Sequence, residues 1–382
     1  MTPARFAHAA IPSEAEAFRA EVRRFLAAEI ENIPVLARAD SWMGYDAAFS
    51  RKLGEAGLIG ITMPQCYGGR AAGAFARYVV SEELLAAGAP VSAHWIADRQ
   101  SAPLLLHYGT ETQRERYIPA ISRGEAYFCI GMSEPNSGSD LASIGTRAVR
   151  SGDGWVLNGR KIWTTNAHRS HYMIALVRTE GREDDRHGGM SQFIIDLHAP
   201  GVTVRPIRDL TGHEHFNEVF FDDVALDADA LVGVEGKGWS QVMAELAFER
   251  SGPERFLSSH VLLATLIDAV GKQPDALQSF QIGRLVAKLH GLRAMSLAVT
   301  AELDAGGDPA WAASCVKDIG NGLEQELPEI AQLIAPDEPR IGPGSDQAQV
   351  LAYLTQIAPS FSLRGGTREI LRGILARGLG LR

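Results

Sequence analysis

Residues 155–166 read Trp155-Val156-Leu157-Asn158-Gly159-Arg160-Lys161-Ile162-Trp163-Thr164-Thr165-Asn166, and they mark where the chain turns from helix to strand. Two β-rich triplets, Trp155-Val156-Leu157 and Lys161-Ile162-Trp163, flank Asn158-Gly159, a dipeptide that readily adopts the left-handed backbone of a type I′ turn. The pattern predicts a hairpin. Further β-rich runs follow at Tyr172 to Arg178, Gln192 to Leu197, Val202 to Ile207 and Glu218 to Val224, separated by Gly, Pro, Asp and His. That spacing predicts a small barrel or sandwich.

Helical periodicity lies on both sides. Ser13 and Glu16 have the spacing of a capping box, after which Phe18, Val22, Phe25, Leu26 and Ile30 recur at helical intervals. Tyr78 to Ala87 continues the pattern, and Gln113 can complete a second box after Gly109-Thr110. Beyond Gly236-Lys237-Gly238, helices are expected over Trp239 to Val270, Ala276 to Ala305 and Pro309 to Ile334. Ala335 to Ser345, rich in Pro and Gly, predicts a loop, and a last helix is expected near Thr367 after Gly365-Gly366. The expected architecture is multidomain α+β: an N-terminal helical domain over 1–126, a central small β-barrel or sandwich domain over 127–235, and a C-terminal helical bundle domain over 236–382.

Composition narrows the function classes. The chain has 382 residues, 46% hydrophobic and 22% charged, as an ordinary globular protein does. A formal charge of −9 argues against nucleic-acid binding and requires any polyanionic ligand to be met by local donors. The three cysteines, Cys66, Cys129 and Cys315, have no zinc-like spacing, so no metal site is expected. Met1-Thr2-Pro3-Ala4-Arg5 opens no apolar signal segment, and no run approaches the roughly 18 apolar residues of a membrane span. A cytoplasmic protein without membrane contact is expected. A Gly-x-Gly-x-x-Gly loop between strand and helix is missing, which argues against a Rossmann nicotinamide site.

Two segments carry candidate chemistry. Gly131-Met132-Ser133-Glu134-Pro135-Asn136-Ser137-Gly138-Ser139-Asp140 alternates hydroxyls with flexible backbone. Such a loop can present several N–H and O–H donors to one ligand, although composition alone points first to a plain Gly/Ser-rich turn. In the second segment, Trp163 and Thr165 stand two apart, and on a regular strand they share a face. That face can stack on a planar ring while the hydroxyl bonds a ring nitrogen, or Trp163 can simply belong to the core.

Together the two segments resemble the acyl-CoA dehydrogenase family. Met132-Ser133-Glu134, two residues, Ser137 and Gly138-Ser139-Asp140 fit its first signature throughout. Asn158-Gly159, Val219-Phe220-Phe221-Asp222-Asp223-Val224, Gly236-Lys237-Gly238-Trp239 and Gly365-Gly366-Thr367-Arg368-Glu369-Ile370 extend the resemblance to nearly the whole chain. It implies an FAD enzyme in which the backbone of Met132 and Ser133 faces the flavin pyrimidine edge. Ser139 would lie near the cofactor phosphates, and Trp163 and Thr165 would flank the ring, with Thr165 bonding N5. An acyl-CoA thioester would lose an α-proton to a carboxylate and a β-hydride to flavin N5, giving the trans-2-enoyl-CoA. An electron-transfer flavoprotein would take the electrons.

Many members have the basic Glu just before the Gly-Thr of the C-terminal motif, but Gly365 stands there. Others place it before an Arg on the first long helix of the C-terminal domain, and Leu246-Ala247-Phe248-Glu249-Arg250 matches that pattern. The resemblance therefore implies Glu249 as base, with Glu254 of Glu254-Arg255 as the alternative. The Arg-x-x-Phe-Gly and Gln-x-x-Gly-Gly-x-Gly segments that typically reach a neighbour's FAD are replaced by Gly271-Lys272-Gln273-Pro274-Asp275 and Asp346-Gln347-Ala348-Gln349. Thr367 at a helix start and Arg368, in a stripe with Arg364 and Arg372, can meet the diphosphate instead, or form a solvated face with Glu369. A homodimer or homotetramer is expected, or a hetero-oligomer with a related subunit. The alternatives are an acyl-CoA oxidase or flavin monooxygenase on the same scaffold, and a non-catalytic subunit of a dehydrogenase.

Overall fold

A computed structural model describes residues 6–180, 186–249 and 252–381. Seven helices come first: α1 (Ser13–Glu29), α2 (Val35–Arg38), α3 (Ala47–Glu55), α4 (Ala74–Ala86), α5 (Ser92–Ile96), α6 (Ala102–Tyr108) and α7 (Glu111–Ser122). Strands β1 (Phe128–Gly131), β2 (Arg147–Ser151), β3 (Gly154–Thr165), β4 (Tyr172–Arg178), β5 (Met190–Asp196), β6 (Val202–Ile207), β7 (Phe216–Leu226) and β8 (Leu231–Val232) follow. Helices α8 (Gly238–Glu249), α9 (His260–Val270), α10 (Ala276–Asp304), α11 (Ala310–Ile334), α12 (Asp346–Ile357) and α13 (Arg368–Gly378) complete the chain. Along the sequence the order is a helical N-terminal region, a central β-sheet domain and a helical C-terminal region.

Contacts gather into two compact units, each drawn from separate stretches: Met1–Gly44 with Ala72–Val91 and Ala247–Arg382, and Tyr45–Ala71 with Ser92–Leu246. The first is helical. Its helices α1, α4 and α10 are tied by charge: Arg23 Nε lies 2.6 Å from Glu83, Arg19 Nη1 3.1 Å from Glu82, and Arg293 Nε 2.6 Å from the same Glu82 carboxylate. Helix α11 turns Val316, Leu323, Leu327 and Ile330 into the core, the i, i+7, i+11, i+14 face of an amphipathic helix.

The second unit is built on one sheet, ordered β6-β7-β3-β2-β4-β5-β8, with β1 added in parallel to β4. Met173, Ala175 and Val177 of β4 pack with Trp155, Leu157, Phe193 and Val219 on one face. On the other, Ile174 and Ile194 meet Leu104, Leu105, Ile118 and Ile121 of α6 and α7. Both faces of β4 are therefore buried, which is why its sequence is a continuous apolar run rather than an alternation. The Thr110–Gln113 capping box forms as expected, and the buried Gln113 amide also donates to the carbonyls of Asp229 and Leu231.

Four local expectations differ from the structure. The Asn158-Gly159 hairpin does not form: β3 runs unbroken from Gly154 to Thr165, and the turn into it lies at Gly152-Asp153. Asn158-Gly159 is instead an irregularity opposite β7, where the Asn158 amide and Asp223 exchange two hydrogen bonds of 2.9 Å. Gly159, at φ +139, is required there because a Cβ would stand 2.6 Å from Thr146 Oγ1 and 2.7 Å from its Cα. Ser13 does not cap α1. The Pro12 carbonyl accepts the first amides while Arg19 holds the Glu16 carboxylate. The helix expected over Trp239 to Val270 is interrupted, because Pro253 lacks an N–H and disfavours helical backbone in the residue before it, so Pro253–Arg255 form a short 3-10 turn. Helix α12, capped by Ser345, was not foreseen.

Gly159→Ala should cost about 2 kcal/mol of stability, the usual range for forcing a group into a filled site. Urea unfolding of the two proteins measures it, and an unchanged midpoint would show that Thr146 can yield.

Candidate functional site

The Gly131–Asp140 loop follows β1, and β3 holds it through two consecutive residues. Ile162 N–H donates to Ser133 O at 2.9 Å, and Lys161 Nζ donates to Met132 O at 3.1 Å and to Glu134 Oε1 at 2.8 Å. Lys161 has no solvent exposure. Its partner is held further by the amides of Gly145, 2.6 Å from Oε2, and Thr146, 3.0 Å from Oε1. Burial lowers the Lys161 ammonium to about 8, although the Glu134 carboxylate opposes the shift. Burial pushes Glu134 upward, but the Lys161 charge and the donated hydrogen bonds outweigh it and hold the carboxyl below its ordinary range.

The loop also closes on itself. Glu134 N donates to Ser137 O at 2.9 Å, Ser137 N returns to Glu134 O at 3.0 Å, and the buried Ser137 hydroxyl donates to Asp140 O at 2.5 Å. Arg186 and Ser143 donate to the Asp140 carboxylate. Ser139 is exposed, and Met132 packs on the cluster of Ile144, Leu176, Met190 and Val242. Ser133 is half-buried, and among the described residues its amide N–H has no acceptor.

Trp163 sits on a bulge. Between Lys161, paired with Val219, and Thr164, paired with Asn217, β3 has two residues opposite one of β7. Trp163 takes φ +59, a region sterically costly for a bulky side chain. The residue is 56% exposed, with Phe216 edge-on to the indole at 6.2 Å. Thr164 between it and Thr165 is buried, so Trp163 and Thr165 both lie on the less buried side even though the strand is not regular there. The Thr164 hydroxyl has no partner among the described residues. An exposed aromatic face on strained backbone, with an unspent amide on the loop tied to the adjoining residues, fits a planar heteroaromatic ring with an acceptor edge.

Chain comparison decides what this surface belongs to. Residues 12–125 match the model for the acyl-CoA dehydrogenase N-terminal domain, and residues 129–224 match that for the acyl-CoA dehydrogenase middle domain. The acyl-CoA dehydrogenase IpdE1 of Mycobacterium tuberculosis is 34% identical, covering 96% of this chain and 98% of that protein. The chain belongs to the acyl-CoA dehydrogenase family. The Tcur3481-Tcur3483 steroid ACAD is similar in structure, with a TM-score of 0.84 at 27% identity over 99% of each chain. So is the ChsE4-ChsE5 complex from Mycobacterium tuberculosis, with a TM-score of 0.83 at 26% identity over 98% of this chain and 99% of that one. Members of the family are oxidoreductases of lipid metabolism and flavoproteins, FAD being the usual cofactor. Among the described residues, no helix is long and apolar enough to cross a membrane.

The remaining acyl-CoA dehydrogenase expectations fall in the helical unit. Glu249 is the last residue of α8; its side chain, and Arg250 altogether, lie outside the described residues. Glu254, on the 3-10 turn, is 2% exposed, with Arg255 Nε 3.9 Å from its carboxylate. Thr367 is the N-cap of α13. Arg368 Nε is 2.9 Å from Asp318, and Arg372 shares the same carboxylate at 3.6 Å. The three-arginine stripe is broken, because Gly365 and Gly366 take φ +58 and +96 and α13 starts only at Arg368. Arg364 instead stacks its guanidinium 4.6 Å from the Trp42 ring, near Glu324 at 3.8 Å. The fully buried Lys317 of α11 donates to the Arg364 and Gly366 carbonyls and so shapes this turn.

Sequence reasoning passed over the Lys161–Glu134 pair. The signal was available: β3 alternates inward at Trp155 and Leu157, and Lys161 lies an even number of residues further on, at a core position where a lysine needs a buried partner.

That pair should be visible in stability against pH. An unfolded lysine keeps its proton to about 10.5 whereas the folded one releases it near 8. Between those values the unfolded chain binds more protons, so this site's contribution to stability rises with pH. The unfolding free energy of the protein relative to Lys161→Met should therefore increase from pH 8 to pH 10, measured in urea. A flat difference would mean that Lys161 is not desolvated.

Proposed function

We propose that this acyl-CoA dehydrogenase family member is an FAD-dependent enzyme that oxidises an acyl-CoA thioester to its trans-2-enoyl-CoA and passes the electrons to an electron-transfer flavoprotein in the cytoplasm. The observation that carries the reading is the exposed Trp163 indole on strained backbone beside the amide-presenting loop. Trp163 and Thr165 would flank the flavin ring, Met132 and Ser133 would meet its pyrimidine edge, and Ser139, with Thr367 and Arg368, would serve its phosphates. When bound, FAD supplies a hydride acceptor at N5.

The chain's own task is to remove the α-proton. The thioester carbonyl acidifies that proton, and a desolvated carboxylate is a strong enough base to take it. Glu249 is the base by its place before Arg250 at the end of the first helix after the sheet. A second reading is favoured by one observation: Glu254 is almost wholly withdrawn from solvent. A steroid-derived acyl thioester is the class to try first, because the similar Tcur3481-Tcur3483 protein is described as a steroid ACAD. That protein and ChsE4-ChsE5 carry paired names, and the segments that would grip a neighbour's FAD are replaced here, so a hetero-oligomer with a related chain is the assembly we favour over a homodimer or homotetramer.

Glu249→Gln should lower turnover about 10³-fold while the yellow flavin spectrum persists, with an artificial one-electron acceptor in the assay. Loss in Glu254→Gln alone would move the base to that residue, and undiminished turnover in both would reject a carboxylate here. Hydrogen peroxide formed in air as fast as substrate is consumed would instead identify an oxidase. A chain that stays colourless with FAD in excess would be a non-catalytic subunit.

A further inference from the structure

We propose that Lys161 is a positioning residue for flavin chemistry: by taking the Met132 carbonyl it turns the 132–133 peptide so that the Ser133 amide is presented as a donor to the electron-rich edge of the reduced flavin. The inference rests on the flavin reading above and adds to it the device that aims the donor.

The geometry follows from one rigid plane. In a trans peptide the C=O and N–H vectors point in opposite directions, and the chain has no cis peptide among its described residues. Lys161 Nζ stands 3.1 Å from Met132 O. The N–H at the other end of that plane belongs to Ser133 and must point away from Lys161. The next carbonyl, Ser133 O, is held by Ile162 N–H at 2.9 Å, which fixes the far side of the same residue. The residue after Ile162 is Trp163, so three consecutive positions of β3 set the loop carbonyl, the loop residue and the exposed indole.

Burying an ammonium is costly, and a hydrophobic residue of similar length would fill the same space more cheaply. What an apolar side chain cannot do is hold a carbonyl. Glu134 compensates the charge and is anchored by Gly145 and Thr146, so the lysine can keep its bond to Met132 O without an uncompensated charge. A flavin accepting two electrons gains negative charge at its pyrimidine edge, and a fixed N–H there strengthens on reduction. The device thus acts on the difference between two oxidation states, not on binding as such.

Two measurements decide the matter. In the first, FAD binding and the two-electron potential of the bound flavin are compared for the full chain, Lys161→Met and Lys161→Met/Glu134→Gln, together with any partner subunit needed to retain FAD. The expected result for Lys161→Met is a loss of about tenfold in the preference for reduced over oxidised flavin, a fall of about 30 mV. Lys161→Met alone leaves the Glu134 charge unpaired, so Lys161→Met/Glu134→Gln, which buries no unpaired charge, should show the same fall. If Lys161→Met weakens both oxidation states equally, or neither, Lys161 only stitches the loop and the proposal is overturned while the flavin reading stands. If the unaltered protein takes up no FAD at all, both fall. In the second, which needs no variant, hydrogen exchange of the Ser133 amide is followed as FAD is added. Slowing at that amide supports the proposal, and unchanged exchange on a protein that binds FAD overturns it.

Discussion

An ammonium with no exposure to water has to be answered by the protein, and the answer to Lys161 organises the middle of the sheet domain. Its charge is met by Glu134 and a second of its N–H donors by the Met132 carbonyl, both on the loop after β1. The Glu134 carboxylate in turn takes the amides of Gly145 and Thr146 ahead of β2. One buried pair therefore ties two separate segments to β3. Removing either partner leaves the other as an uncompensated buried charge, far more damaging than never having had the pair. The loop is consequently rigid where its composition suggests flexibility, and a rigid donor array is what electrostatic stabilisation requires.

The helical unit solves a similar problem by different means. Lys317 is also fully buried, yet its ammonium is met by backbone carbonyls of Arg364 and Gly366 rather than by a carboxylate. Two glycines with positive φ allow those carbonyls to converge. Arg364 is thereby drawn inward over Trp42 and Phe361, away from the run of arginines that its sequence spacing suggests. Periodicity assumes that the helix has already begun, and here it begins four residues too late.

The helix, sheet, helix order was readable because it rests on periodicity averaged over many residues. Strands β4 and β6 and helices α10, α11 and α13 lie close to their expected limits for that reason. Individual turns were less legible. Asn158-Gly159 satisfies the composition of a hairpin turn, but Thr146 leaves no space beside Gly159 for any side chain and Asp223 occupies the Asn158 amide, so the pair becomes a kink in a continuous strand. The loop and the Trp163 segment were found through a family resemblance carried by motif order. The lysine between them was overlooked, since a charge inside a strand announces its partner only when the third dimension is available. Glu254 stood out in sequence only by its place before an arginine, and its burial is visible only in the fold.

The left-handed backbone at Trp163 has an evolutionary corollary. Glycine would relax that conformation at once, and most other residues would expose less apolar surface to water. Selection acting on heat tolerance alone would therefore drift away from tryptophan at this position, whereas selection for whatever rests against the indole would restore it. A thermostability screen of this protein that spared Trp163 would be telling its operators that the ligand was present throughout.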